Sequence, residues 1–197
     1  MNKAWIIATN SVAAPDLNAS VVRSIPRFGR MDLTSQLSLL AVEPFAPHFE
    51  SMARNRIAIL LGTRAGSLST DVSYWAGRDQ PGGLSPTLFT YTLPSAAIGE
   101  IAIRHRLTGP NLCLVGTGLP VLSEAAALLN TGEADACVVV DTQVVSTALT
   151  RMIQMPEIAR ADAVLLARTG PGLLAWGENQ SDMESLCATL RAQNLTK

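Results

Sequence analysis

The stretch GPNLCLVGTGLPVLSEAAALL, residues 109–129, sets a short apolar strand, a glycine turn and a helix start in close succession. Leu112–Val115 is a continuous apolar run, as in strands buried on both faces. Gly116-Thr117-Gly118 makes the turn, and Pro120 suits the first turn of a helix ending near Asn130-Thr131-Gly132. Turns of this build often carry a nucleophile, because free N–H groups and the helix dipole favour its anion. This turn contains no good nucleophile. The helix Leu119–Leu129 has only Ser123 and Glu124 as polar residues, so it is expected to need cover all round, from another layer or another chain.

The rest of the chain supplies the layers. Strands are predicted at Ala4–Ala8, Arg56–Leu61, Leu112–Val115, Ala136–Val140 and Ala163–Ala167. Asp32 or Thr34 can cap a helix whose Leu33, Leu37, Leu40 and Ala41 share a face before Pro44 stops it. Pro94 suits the first turn of a helix through His105. Strands alternating with helices predict a layered α/β fold. At the tail, Gly170-Pro171-Gly172 between two apolar runs predicts a hairpin over residues 164–176. Ser181-Asp182-Met183-Glu184 then reads as the capping box of a last helix, with Met183, Leu186, Cys187 and Leu190 on one face.

Composition narrows the function classes. The chain has 197 residues, 48% of them hydrophobic and 16% charged. The charged share lies well below the usual quarter, a sign of surface meant to be covered. A net charge of −1 argues against nucleic-acid binding. Residues 1–110 carry ten Lys/Arg against seven Asp/Glu, and residues 111–197 carry five against nine. Ordinary surface scatter accounts for that imbalance, although a basic part would also suit an acidic partner. Cys113, Cys137 and Cys187 have no paired spacing, which fits a reducing cytoplasm. No apolar run reaches a membrane span, and the N-terminal apolar stretch is too short for a secretory signal. No metal site and no cofactor is expected.

Four segments carry a resemblance: RMDLTSQLSLLAV (30–42), RIAILLGTRAGSLSTD (56–71), LSPTLFTYTLPSAAIGEIAIRHRLTGPN (84–111) and GEADACVVV (132–140). In this order and at these separations they resemble the N-terminal half of a β-ketoacyl synthase, a thiolase-like condensing enzyme. The resemblance implies a layered thiolase-like half-fold, with a mixed five-stranded sheet and helices on both faces. It also implies one domain over residues 1–197, with the family's C-terminal half absent.

The sequence departs from the family where the chemistry lies. The family carries Thr-Ala-Cys-Ser-x-Gly after this strand, with the cysteine acylated. Here Gly116, Thr117 and Gly118 stand in its place, a degenerate elbow three residues shorter and without the cysteine. Cys113 lies mid-strand, three residues before the turn, and cannot replace it. His48 and His105 match neither catalytic histidine of the family and read as surface or loop residues.

The resemblance therefore implies a catalytically silent partner of the chain-length-factor kind, as in aryl-polyene-type type II polyketide systems. It would pair with a full-length β-ketoacyl synthase as a heterodimer or larger complex, and meet the acyl carrier protein indirectly. In the family the strand matching Asn111, Leu112, Cys113, Leu114 and Val115 pairs across the dimer. The position matching Leu88 enters the neighbouring subunit's acyl tunnel, with Phe89, Tyr91 and Leu93 beside it; packing at the interface alone is the alternative for all four. Other readings are a scaffold or carrier-docking module using arginines 23, 27, 30, 104 and 106, an acyl-transfer enzyme using Thr117, and a decayed fragment.

Overall fold

The computed structural model describes residues 4–17, 24–116, 119–169 and 173–175. Its strands are β1 (Trp5–Ala13), β2 (Ile57–Thr63), β3 (Asn111–Val115), β4 (Ala136–Val145), β5 (Ile158–Ala167) and β6 (Leu173–Ala175). The main helices are α1 (Leu33–Val42), α2 (Leu68–Ala76), α3 (Ala96–His105), α4 (Leu119–Thr131) and α5 (Thr147–Ile153), with a single helical turn at Pro86–Phe89. One mixed sheet runs in the order β3-β2-β4-β5-β1-β6. β2 pairs in parallel with β3 and β4, and the β4–β5, β5–β1 and β1–β6 pairs are antiparallel.

Period-two alternation sorts the sheet's side chains into two cores. Ile57, Ile59, Leu61, Val138, Val140, Ala163 and Leu165 face α1 and α3. Ala58, Leu60, Cys137, Val139, Val164 and Leu166 face α4. Helices thus cover both faces, and the five expected strands are all present.

The outer layers are fastened by a few specific groups. Asp32 caps α1, accepting from the Ser35 N–H at 2.9 Å, and its second oxygen accepts the Thr70 hydroxyl at 2.7 Å. That carboxylate ties α1 to α2. Two glycines set how closely the layers approach. A Cβ on Gly109 would lie 2.2 Å from the Ile57 carbonyl oxygen, and one on Gly62 would lie 2.6 Å from Val121 Cγ2. Only glycine lets the loop before β3 cross β2, and lets α4 settle onto β2.

Several expectations need correcting. Most strands are longer than predicted: β4 continues through Asp141, Thr142 and Gln143, all buried. They continue the strand because each finds a polar partner or a tolerant edge of the core; Thr142, for example, shares a hydrogen bond with Ser38 of α1 at 2.7 Å. The apolar run after residue 172 does not fold back on β5. It forms β6 on the far side of β1, so β1 lies between the two arms of the expected hairpin. Pro94 precedes α3 rather than opening it. The turn at residues 170–172 and the helix expected from Ser181 lie outside the described residues.

α4 also differs from expectation. Val121, Leu122, Ala125, Ala126 and Leu129 are buried, whereas Ser123, Glu124, Ala127, Asn130 and Thr131 are exposed. At 100° per residue these form two separate arcs, with half-buried Leu128 at the boundary. From Val121 to Thr131 the helix needs cover on one side only, because Ala127 is the one exposed apolar residue among those described.

Candidate functional site

β3 runs along the edge of the sheet, its outer backbone groups unpaired by any described strand. Asn111 and Val115 are exposed and the three residues between them half-buried. Leu112 and Leu114 lean toward α4, while Cys113 leans toward the opposite core. The Cys113 thiol therefore faces away from the elbow helix, and burial pushes its pKa up rather than down. Gly116 N–H donates to the Thr63 carbonyl at 2.7 Å, holding the start of the turn against β2. Thr117 and Gly118 lie outside the described residues.

Beneath this turn sits a group that sequence reasoning missed. Asp141 pairs with Gly62 across the β2–β4 ladder, and the two share the face that meets α4. Burial pushes the Asp141 carboxyl up to about 6. The Gln143 amide donates to it at 2.5 Å and opposes the shift, while Asp162, directly across the β4–β5 ladder, adds to it. The Gln143 carbonyl oxygen accepts the backbone N–H of Arg64 at 3.0 Å, linking the end of β4 to the loop after β2. Asp162 accepts a hydrogen bond from Ser11 and pairs with Arg160 at 3.0 Å. The signal was present in the sequence: Asp141 and Gln143 are polar residues at i and i+2 in an otherwise apolar run, so they share a face.

The four residues expected beside the partner are divided by the structure. Phe89 and Leu93 are exposed, by 60% and 66%, and Val115 by 67%. Phe89 packs against Tyr74 with ring centroids 5.5 Å apart, and Gly66 lies between Pro94 and Val115. Tyr91 turns the other way. It is part of the core under α1 and α3, its phenol donates to Glu100 at 2.8 Å, and burial first, then Glu100, push its pKa up to about 12. Leu88 is half-buried and lines a cleft of about 360 Å3 in its own chain, together with Leu33, Thr70 and Val145.

His105 is not a surface residue. It is buried at the C-terminal end of α3, edge-on to Phe49 at 5.3 Å between ring centroids, with Glu43 3.5 Å from Nε2. Burial holds its pKa below the ordinary histidine value, although Glu43 pulls the other way. The end of α3 drops inward because Phe49 and His105 fill the same corner of the core. Of the arginines set aside for a carrier protein, Arg104 is held by both oxygens of Glu43, at 2.8 and 3.2 Å. Arg106 is exposed, Arg27 and Arg30 share a groove beside Pro86–Phe89, and Arg23 lies outside the described residues.

Among the described residues no helix is long and apolar enough to cross a membrane. No protein-family model matches the chain. A stretch of 90 residues, 43% of this chain, is 32% identical to 3-oxoacyl-[acyl-carrier-protein] synthase 2 of Rhizobium meliloti (strain 1021), and spans 21% of that relative. Among solved structures, a ketosynthase (ApeO) in complex with its chain length factor (ApeC) from Xenorhabdus doucetiae superimposes with a TM-score of 0.65 at 16% identity. That superposition covers 86% of this chain and 80% of the other. The ishigamide ketosynthase/chain length factor gives 0.68 at 17% identity, over 91% and 64% of the two chains. A β-ketoacyl synthase from Burkholderia phymatum STM815 gives 0.63 at 13% identity, over 86% and 60%. The fold is a ketosynthase-like half-fold of the thiolase-like class.

Proposed function

We propose that this chain is a non-catalytic, chain-length-factor-like subunit that pairs with an active β-ketoacyl synthase through the β3 edge and shapes its acyl tunnel. The observation that carries the reading is that edge: five residues whose outer backbone groups no described strand pairs, ending in exposed Val115. An open edge with apolar side chains at its rim favours pairing with another chain. Two of the solved neighbours are ketosynthases in complex with a chain length factor, which supports the same assignment. Catalytic silence is supported by the absence of a cysteine from Gly116-Thr117-Gly118 and by the raised pKa of Cys113.

The test is co-expression with a full-length ketosynthase, followed by intact-mass measurement of the complex incubated with an acylated carrier protein. The adduct should form on the partner alone; a stable adduct on Cys113 or Thr117 would sink the reading. Tunnel shaping is tested separately by Leu88→Trp and Phe89→Trp, with product length read by mass spectrometry. Leu88 occupies a cleft of its own chain, which favours a scaffold role for that residue and leaves Phe89 as the side chain projecting outward. Phe89→Trp should therefore shorten the products more than Leu88→Trp does. Unchanged products from both variants in an intact complex would reduce the chain to a scaffold.

A further inference from the structure

Beside the helical turn Pro86–Phe89, on the side away from Leu88's cleft, lies a groove of about 350 Å3 lined by Arg27, Arg30, Thr87, Thr90 and Glu100 among others. A 3-10 turn sets the two arginines three residues apart, the Arg30 N–H donating to the Arg27 carbonyl at 2.9 Å, so their side chains leave the turn on one side. Both are exposed, and among the described residues neither pairs with a carboxylate. Arg56 and Arg168 hold Asp135 and Arg104 holds Glu43, so some arginines of the chain are matched to acids and these two are not. Glu100, the acid that lines this groove, already receives the Tyr91 phenol.

The backbone is committed to this arrangement. Arg27 has φ 61° and ψ 8°, a left-handed conformation that glycine takes freely and other residues rarely adopt. The turn buries Ile25 and Phe28 on either side of Arg27 and sends its side chain outward. In the same lining, the Thr87 hydroxyl has no hydrogen bond among the described residues, and the Thr90 hydroxyl has only a long one, 3.4 Å to the Pro86 carbonyl.

We propose that the groove binds a small organic phosphomonoester. The guanidinium groups of Arg27 and Arg30 would grip the phosphate oxygens, and the threonine hydroxyls of the same lining would donate to those left over. Two guanidiniums and two hydroxyls in one groove suit a tetrahedral dianion, whereas a planar carboxylate is satisfied by one guanidinium fork. The volume exceeds that of a phosphate alone and leaves room for the organic part. This site is separate from the β3 edge and does not rest on the role proposed above.

The test is calorimetric titration of the whole chain with glycerol 3-phosphate at fixed ionic strength, with acetate as competitor. Arg27→Gly removes the charge while suiting the left-handed backbone, and Arg30→Gln removes the second guanidinium; melting temperatures and circular dichroism confirm that both variants fold. Saturable binding is expected, weakened at least about ten-fold in either variant, with acetate failing to compete. Absence of saturable binding, equal affinity in folded Arg27→Gly, or displacement by acetate at matched concentration would each overturn the proposal.

Discussion

Asp141 is a carboxyl group held among apolar strands, and its elevated pKa is also a statement about stability. The folded protein holds the proton more tightly than the unfolded chain, whose carboxyl titrates near 3.8. This group's contribution is therefore fully present below about pH 4 and is lost as pH rises through about 6. The difference amounts to about 3 kcal/mol, an order-of-magnitude figure. Asp141→Asn keeps an oxygen that can accept the Gln143 amide and removes the titration. Urea midpoints of the variant should exceed those of the native protein above pH 6 and converge with them near pH 4; parallel curves across that range would count against the assignment. A second residue-scale expectation concerns Gly109. The Ile57 carbonyl is backbone and cannot swing aside, so Gly109→Ala should cost about 1–3 kcal/mol, read as a fall in melting temperature. Asp141 leaves a trace in the sequence, two residues before Gln143 in an apolar run, although a charge there predicts the strand's end. The burial of His105 leaves none, because it depends on what a helix end meets rather than on what surrounds it in the chain.

Among the elements, β3 and α4 exchange the roles that composition suggested. α4 looked apolar all round, yet its exposed side holds Ser123, Glu124, Ala127 and Asn130 and is compatible with water. β3 reads as a strand buried on both faces, yet Asn111 and Val115 are exposed and only β2 pairs with it among the described strands. The period-3.6 arcs of α4 could have been drawn from the sequence. Edge position could not, because it depends on strand order. Val115, Phe89 and Leu93 are exposed at β3 and the turn before α3, and Trp75, Ile103 and Met152 are exposed on α2, α3 and α5, so what singles out β3 is its open backbone edge. Val115→Lys, which places a charge at the rim of the open edge, should abolish co-purification with the ketosynthase while leaving the fold intact. Ser123→Lys on α4 should leave co-purification unchanged. Loss of the complex in both variants, or in neither, would place the contact elsewhere.

At the scale of the whole molecule, an unpaired edge predicts behaviour in solution. Expressed alone, the chain should self-associate in light scattering, and co-expression with its partner should suppress this; a clean monomer at high concentration would count against the edge as the contact. The layered α/β class was legible because strand and helix periods alternate along the chain. The topology was less so: Gly170-Pro171-Gly172 suggests a local hairpin, and nothing local shows that β1 lies between β5 and β6. That insertion has a consequence for synthesis. Trp5 pairs with Ala167, so the first strand of the sheet to be made finds its partner about 150 residues later. At roughly 5–20 residues per second, β1 waits on the order of 8–30 s before it can dock. Meanwhile β2, β3 and β4 can assemble around α4 on the nascent chain, exposing the flank of β4 that β5 will take. A nascent chain arrested with residues up to 157 outside the ribosome should therefore carry a protease-sensitive N-terminal strand beside a protected β2–β4 unit, and emergence of residues 158–167 should protect both together.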